Sequence, residues 1–572
     1  MIKNMAVLAI VLIAWFYPGP ASALINDKME GKWSLMGKWQ SQATFRTEDG
    51  PDNTPVPFES GDMTSQRNTM LLQWKHDLGR KWFDTKIEYD IKGRVFYDGA
   101  WDYGPDVMKS DSERDKYVLN NRKIVDDREE IDEEKWKAEF FHAYADLTKG
   151  IAFFRVGRQV LSWGEMSTIR ILDGCNPMDT SSLAVDLQER LIPLWMIRGN
   201  LAFDAVGPFT SASIGGYYVP GRVDHTYEEK MLDGSPIMPT IGRDLETDLS
   251  DPFSMASLKQ YIRMKDSDIE KDRYGIKLGM MTAGGLDLNF VYYRMYSDLP
   301  VPQIDVDAID PITVNPMLID MHDPMGSILG DQLLNVVKTR DIVDVYGTSF
   351  NYYMGKIDSV LRFEGAYYKD MPKMPPGYLS DMVDALSSKA TIVGINQTIQ
   401  DLIDIFPLGN MGTQVLPFTS GDIPKYDVVK YGFGLDKWVK VPQISASDIL
   451  MTFEYVGSTT LDYKRHELVQ PWYNPWDDDQ DGLWDPVWEP ERSSTFILIC
   501  RTNYLSGSLV AQMVTMFEVE PQALVLYPSC KYYWKKYEFD VSWFMTMGNG
   551  YQGTLGMLQD RDELTFSITY NF

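Results

Sequence analysis

From Glu563 to Phe572 the sequence alternates without a break: Leu564, Phe566, Ile568, Tyr570 and Phe572 share one parity, and Glu563, Thr565, Ser567, Thr569 and Asn571 the other. Successive side chains of a strand point to opposite faces, so this stretch has one face fit for hydrocarbon and one fit for water. An edge strand of a soluble sandwich can carry such a pattern, but a transmembrane β-barrel needs it in every strand. The pattern recurs upstream. Tyr537, Phe539, Val541, Trp543 and Met545 alternate with Glu538, Asp540, Ser542 and Thr546, and Leu361, Phe363 and Tyr367 alternate with Arg362 and Glu364. The charges fall on the parity that would line a wet lumen, and the aromatics on the parity that would meet lipid.

The opposite end has the pattern of a secretory signal: Lys3, an apolar run from Met5 to Phe16, and Ala21-Ser22-Ala23 before a cut near Ala23. That run is short for a membrane span, and no later window supplies the roughly 18 apolar residues a helical span requires. Residues 1–23 are therefore expected to be removed on export, leaving 24–572 as a barrel in the bacterial outer membrane, in contact with its lipid. The terminal Phe572 would be the signal read by the barrel assembly machinery. With 55 Lys and Arg against 82 Asp and Glu the net charge is −27, and loss of Lys3 makes it one unit more negative. Such a surface argues against nucleic acid as a partner. Cys175, Cys500 and Cys530 are too few and too scattered for a disulfide framework or a zinc site.

Tight turns and long loops take turns along the chain, as the periplasmic and extracellular ends of a barrel do. The tight connections fall at Gly79-Arg80, Lys149-Gly150, Val206-Gly207-Pro208, Gly284-Gly285, Gly355-Lys356, Ser506-Gly507 and Lys535-Lys536, most with the Gly that hairpins favour. Between them lie Asp- and Pro-rich stretches at about 48–66, 97–135, 162–194, 220–270, 297–344, 369–427, 457–493 and 548–562, with one short outer turn at Glu520-Pro521. Strands laid in the gaps give an all-β, antiparallel, up-and-down transmembrane barrel of about 16 to 18 strands, an even count that returns both ends to the periplasm. Ser327 to Thr339 and Tyr378 to Ile405 space their apolar residues as short amphipathic helices would. Such loop helices would form a lid or an inward-folded constriction, or else pack on one another above the membrane.

Trp136 to Gly164 forms a hairpin whose second strand carries Gly157-Arg158-Gln159 and leads into Trp163-Gly164-Glu165; Asn176-Pro177-Met178-Asp179 and Leu191-Ile192-Pro193 follow. In this order the series resembles the domain-of-unknown-function 1302 family of Gram-negative outer-membrane proteins. The resemblance implies a large barrel that works beside exported partner proteins and inner-membrane pumps to move lipid-like or other hydrophobic molecules, and it brings no catalytic residues. On parity, Arg155 and Gln159 face the lumen and Arg158 faces lipid. A charge there costs roughly 2 to 4 kcal/mol near the midplane, so a bulge at Gly157 that turns Arg158 inward, or a place near the outer rim, is expected. Trp163 would join the upper aromatic girdle or anchor the following loop. Gly157, Arg158, Gln159, Trp163, Gly164 and Glu165 are expected to fix that loop against the wall rather than to touch substrate.

The resulting expectation is an outer-membrane channel with Arg155, Gln159, Arg362, Glu364, Glu538 and Asp540 in its lumen. A diffusion porin that prefers cations, from the acidic composition, is the alternative, followed by an adhesin or structural barrel. An outer-membrane hydrolase ranks last, because the chain has 5 His and no Gly-x-Ser-x-Gly elbow placed between a strand and a helix. No cofactor is expected beyond one candidate cation. Asp477, Asp479, Asp481 and Asp485 stand at positions 1, 3, 5 and 9 of a calcium-type loop with Gly482 at position 6, but position 12 is Trp488 instead of Glu. A solvated acidic turn is the other account of that run. Calorimetry with calcium at millimolar concentration separates the two: heat of binding that disappears in Asp477→Asn with Asp479→Asn supports the site, and no heat removes it.

Overall fold

A computed structural model describes residues 32–48, 59–79, 84–105, 135–178, 191–221, 262–266, 271–297, 300–308, 312–314, 334–378, 381, 390–392, 415–416, 419–470, 488–520, 522–548, 553–556, 558–559 and 561–572. Its main sheet begins with β1 (Lys32–Arg46), β2 (Met63–Asp77), β3 (Lys86–Asp98), β4 (Trp136–Lys149), β5 (Ala152–Gln159) and β6 (Leu194–Phe203). It continues with β7 (Phe209–Val219), β8 (Arg273–Thr282), β9 (Leu286–Tyr296), β10 (Ile342–Met354), β11 (Ser359–Pro372) and β12 (Lys425–Val439). It ends with β13 (Ile449–Thr460), β14 (Arg492–Tyr504), β15 (Leu509–Glu518), β16 (Ala523–Trp534), β17 (Tyr537–Gly548) and β18 (Glu563–Asn571). Each strand pairs antiparallel with the next, and β1 pairs with β18, so the 18-stranded sheet closes on itself.

Closure matches Lys38 to Arg46 against Asn571 to Glu563 without a slip, and Gly37 and Phe572 exchange backbone hydrogen bonds of 2.9 Å each way. No sheet edge is left, which is the condition for strands to stand in hydrocarbon. The tight connections use left-handed backbone at Gly79, Gly150, Gly207, Gly285, Gly507 and Lys535. The connection between β12 and β13, residues 440–448, was not evident as a turn. It contains no Gly, and Ser445 Oγ organises it by accepting the Ser447 N–H at 3.1 Å.

The two faces of the wall differ as the alternation requires. Phe566 and Ile568 of β18, Val541 and Trp543 of β17, and Phe433 and Phe453 of β12 and β13 are exposed on the outer face. Two aromatic rows bound that face. Tyr274, Tyr292, Tyr346 and Tyr367 contact one another in series near the outer ends of β8 to β11. Trp534, Tyr537, Tyr570 and Phe572 do so near the periplasmic ends of β16 to β18. Amphipathic rings at both water boundaries are the signature of a membrane-spanning barrel.

The helices expected in the long loops are corrected in part. Leu334–Thr339 is a strand, antiparallel to Val301–Ile304 and parallel to Ile262–Asp266. Gly377–Tyr378 pairs with Val415–Leu416, and Ala390–Ile392 with Ile312–Val314. Val336-Val337 and Thr391-Ile392 are β-branched pairs suited to extended backbone, and partners distant in sequence decide the outcome over local spacing. Most of 378–405 lies outside the described residues, as do 1–31. Among the described residues the α-helical segments with full boundaries are single turns, Ala100–Tyr103 and Gly553–Gly556.

A lipid-facing charge should be far more costly than a lumen-facing one. Phe566→Arg should lose about 2 to 4 kcal/mol of folding free energy, and Ser567→Arg, next along the chain but inward, about 1 kcal/mol or less. Urea titration of folding into lipid vesicles measures both.

Candidate functional site in the lumen

The inner wall is not polar all round. Leu194 and Met196 of β6, Tyr217 and Val219 of β7, Val291, Tyr293 and Met295 of β9, Val343 and Val345 of β10, and Tyr368 of β11 form an apolar cluster that extends to Ile497 of β14. In a water-filled tube these side chains would stand exposed, at about 25 cal/mol per Å² of apolar surface. The segment that follows β5, residues 160–178, turns into the barrel and covers them. Leu161, Ile171, Leu172 and Cys175 are buried in that cluster, with Trp163, Met166 and Ile169 packed at its margin. Two wall glycines make the seats. A Cβ at Gly347 would lie 2.3 Å from Leu172 Cδ2, and one at Gly432 would lie 2.7 Å from Ile171 Cδ1.

Wall charges clamp the backbone of the same segment. Glu364, fully buried on β11, accepts the N–H of Glu165, the N–H of Met166 at 2.7 Å and the N–H of Leu172 at 3.2 Å. Arg362, two residues earlier, donates to the Glu165 carbonyl and lies within 3.0 Å of both Asp436 of β12 and Glu454 of β13. Glu454, also fully buried, accepts the Ser167 N–H at 2.8 Å. Inside the segment, Asp173 accepts the N–H groups of Trp163 and Gly164, the latter at 2.7 Å. A Cβ at Gly164 would meet Asp173 Oδ2 at 2.6 Å, so this contact needs Gly.

The motif residues surround this insertion. Asn176 accepts the Leu161 N–H at 2.8 Å and donates to the Ile192 carbonyl at 2.8 Å; Ile192 in turn donates to the Pro177 carbonyl at 2.9 Å. These bonds tie the two ends of the loop together where the wall stops. Gln159 is buried and donates to the Met196 carbonyl at 3.1 Å, while Arg155 forms a two-point pair with Asp146 at 2.6 and 2.7 Å. Trp163 packs edge-on against Tyr217 at 5.1 Å between ring centres and against Tyr293 at 6.0 Å, inside the lumen and not in the outer girdle. Arg158 comes within 3.6 Å of Glu139, the partner of Arg94 on the lumen side. Gly157 has φ +136 and, unlike the expected bulge, keeps the β4–β5 register continuous. The register shift lies one strand away, between Lys92 and Gly93, and leaves Phe141 of β4 without an opposite residue. Asp179, Asp477, Asp479, Asp481 and Asp485 lie outside the described residues.

The other side of the lumen is open. A cavity of about 500 Å³ runs along the inner faces of β1 to β3 and β14 to β18, with Ser167 and Thr168 of the inserted segment on its border. It touches Glu538, Asp540, Ser542 and Phe544 of β17 and Glu563, Thr565, Ser567 and Thr569 of β18. Inward positions spaced two apart over six residues make a track about 20 Å long. The lining carries the basic side chains Lys38, Arg67, Arg94, Arg501 and Lys531 against the acidic Glu538, Asp540 and Glu563. The open half of the lumen is thus richer in cations, opposite in sign to the whole chain. Lys531 lies 3.4 Å from Asp540, and Asn571 donates to Glu538 at 2.7 Å.

A closed barrel with a lipid-facing exterior, two aromatic girdles and a partly filled lumen defines an outer-membrane β-barrel with porin-like architecture. The chain belongs to the family described as "Protein of unknown function (DUF1302)", whose sequence profile matches residues 4–487. Solved structures that resemble it include Acinetobacter baumannii OccAB2, 9% identical over 94% of this chain and 98% of that one with a TM-score of 0.41. Acinetobacter baumannii OccAB4 is 10% identical over 96% and 99% with a TM-score of 0.43, and Pseudomonas aeruginosa OccK9 (OpdG) is 8% identical over 94% and 98% with the same score. No curated protein matches the chain.

Asp173, Asp436, Glu454 and the seats Gly347 and Gly432 had not been singled out in the sequence. Glu454, set between Phe453 and Tyr455 in an alternating strand, carried a usable signal as an inward carboxylate. Glu364→Ala removes the charged acceptor of buried N–H groups, each worth about 1 to 3 kcal/mol. Protease should then cut reconstituted protein within 160–178, while heat-dependent gel mobility still reports a closed barrel. Continued resistance to cleavage would show that apolar packing alone holds the segment.

Proposed function

We propose that this protein is an outer-membrane channel in which small solutes pass beside the inserted segment, along the track lined by β1 to β3 and β14 to β18. The observation that carries the proposal is the division of the lumen: one side is sealed by residues 160–178 on an apolar wall, and the other holds a continuous cavity of about 500 Å³. A barrel built only to display loops needs no such open track. Five basic side chains against three acidic ones favour anionic over cationic solutes, in contrast to the cation preference that the acidic composition suggests.

The finer reading adds partners. Export with signal cleavage near Ala23, insertion by the barrel assembly machinery, and hand-over of hydrophobic cargo between exported and inner-membrane transport proteins remain part of the proposal on the family resemblance. Apolar lining at Ile499, Val514, Met516 and Phe544 is compatible with such cargo.

Planar bilayers test the channel directly. Purified protein should give stepwise ohmic currents whose reversal potential in a salt gradient shows anion preference. Lys38→Gln with Lys531→Gln should move that potential toward the cation side. A bilayer that stays insulating with folded protein present would overturn the channel.

A further inference from the structure

The lining of the open track is sorted by chemistry, not merely mixed. Ile499 of β14 stands opposite Val514 of β15, and Val514 opposite Tyr527 of β16. Tyr527 meets Phe544 of β17 edge-on at 6.2 Å between ring centres. Four neighbouring strands therefore place apolar side chains in one band across the cavity wall. Met516 extends the band outward, and Leu555 of the Gly553–Gly556 turn packs with Ala523, Val525, Met516 and Phe544 at its outer end. That turn is held down by Glu518, which accepts the Leu555 N–H at 2.8 Å.

One step toward the periplasm the wall changes. Arg501 stands opposite Gln512, and Val510 opposite Lys531, with Ser529 and Asp540 beside them. Lys531 is held by Asp540, Arg94 by Glu139, and the Arg67 guanidinium lies 4.4 Å from the centre of the Phe96 ring. Arg501 is exposed to the cavity and forms no ion pair among the described residues. Its Cα lies about 7 Å along the strand from that of Ile499, and Gln512 opposite it lies about 14 Å from Met516. A cation with no ion pair among the described residues thus sits at the inner end of an apolar recess of that length.

We propose that this recess is a binding site for an amphiphilic anion, with the charged head on Arg501 and an apolar chain of medium length against Ile499, Val514, Met516 and Phe544. The site rests on the channel proposed above and names the solute class its track retains. Each half of the lining alone would recognise something else: the cation alone any small anion, and the band alone any apolar molecule. Together they select molecules that carry both. Carboxylate, sulfonate and phosphate heads share the chemistry that Arg501 recognises.

Block of the bilayer current by defined probes tests the site. Octanoate should halve the current at a concentration about tenfold below that needed for acetate, octanol or octyltrimethylammonium, as one charge-assisted contact added to chain burial predicts. Arg501→Gln should remove the advantage of octanoate over octanol, and Val514→Asn should remove its advantage over acetate while acetate itself is unchanged. Heat-dependent gel mobility checks that both variants fold. Current with no preference for octanoate overturns the site and leaves the channel standing. If folded protein carries no current the channel fails, and calorimetry of octanoate with the purified barrel and with Arg501→Gln then decides the site: tenfold weaker binding to the variant supports it, and equal binding or none overturns it.

Discussion

An apolar patch on the inside of a water-filled wall must be covered, and most of what distinguishes this barrel follows from how that is done. Barrel strands normally turn apolar residues outward and polar ones inward. Strands β6, β7 and β9 to β11 break the rule near their outer ends, where Leu194, Tyr217, Tyr293 and Val345 point inward and are wholly or almost wholly buried. The cover is a piece of the same chain, residues 160–178. Because its backbone would lie dry against the wall, its N–H groups need acceptors. Glu364, Glu454 and Asp173 provide them, and Arg362 offsets the charge that those carboxylates concentrate. The described motif residues Gly164, Glu165 and Asn176 make hydrogen bonds at this junction.

The partition gives the lumen its asymmetry. Without it the barrel would present an apolar outer half-ring and a wide polar tube. With it the aqueous space is displaced toward β1 to β3 and β14 to β18, where the wall is mostly polar or charged and carries one apolar band. The sign of that lining is set by a few inward side chains, and the large negative charge of the chain says little about it. In the sequence, acidic residues crowd the stretches between strands, such as 97–135 and 220–270.

Much of the architecture was legible because barrel patterning is local. Alternation over ten residues and a Gly at most tight turns gave strand faces and loop order, and parity alone placed Arg362, Glu364, Glu538 and Asp540 inward. The motif around Trp163-Gly164-Glu165 pointed to a loop fixed on the wall. What sequence could not supply was contact between distant segments. Leu334–Thr339 reads as a helix until its partners Ile262–Asp266 and Val301–Ile304 are known. Which loop enters the lumen depends on Gly347, Gly432 and Glu364, all far along the chain from residue 172. The inward apolar side chains of β6 to β11 were hidden for the same reason: alternation shows that a strand has two faces, but not that a loop will return to cover one of them.

The order of the elements along the chain bears on the partition. Only β1 to β5 precede residues 160–178 in the chain, yet the segment rests on strands that come later, out to Ile497 of β14. No bed for them exists in the first third of the chain. The bed for residues 160–178 is complete only where β6, β7 and β9 to β14 stand side by side, so the contacts that narrow the bore depend on nearly half of the wall at once.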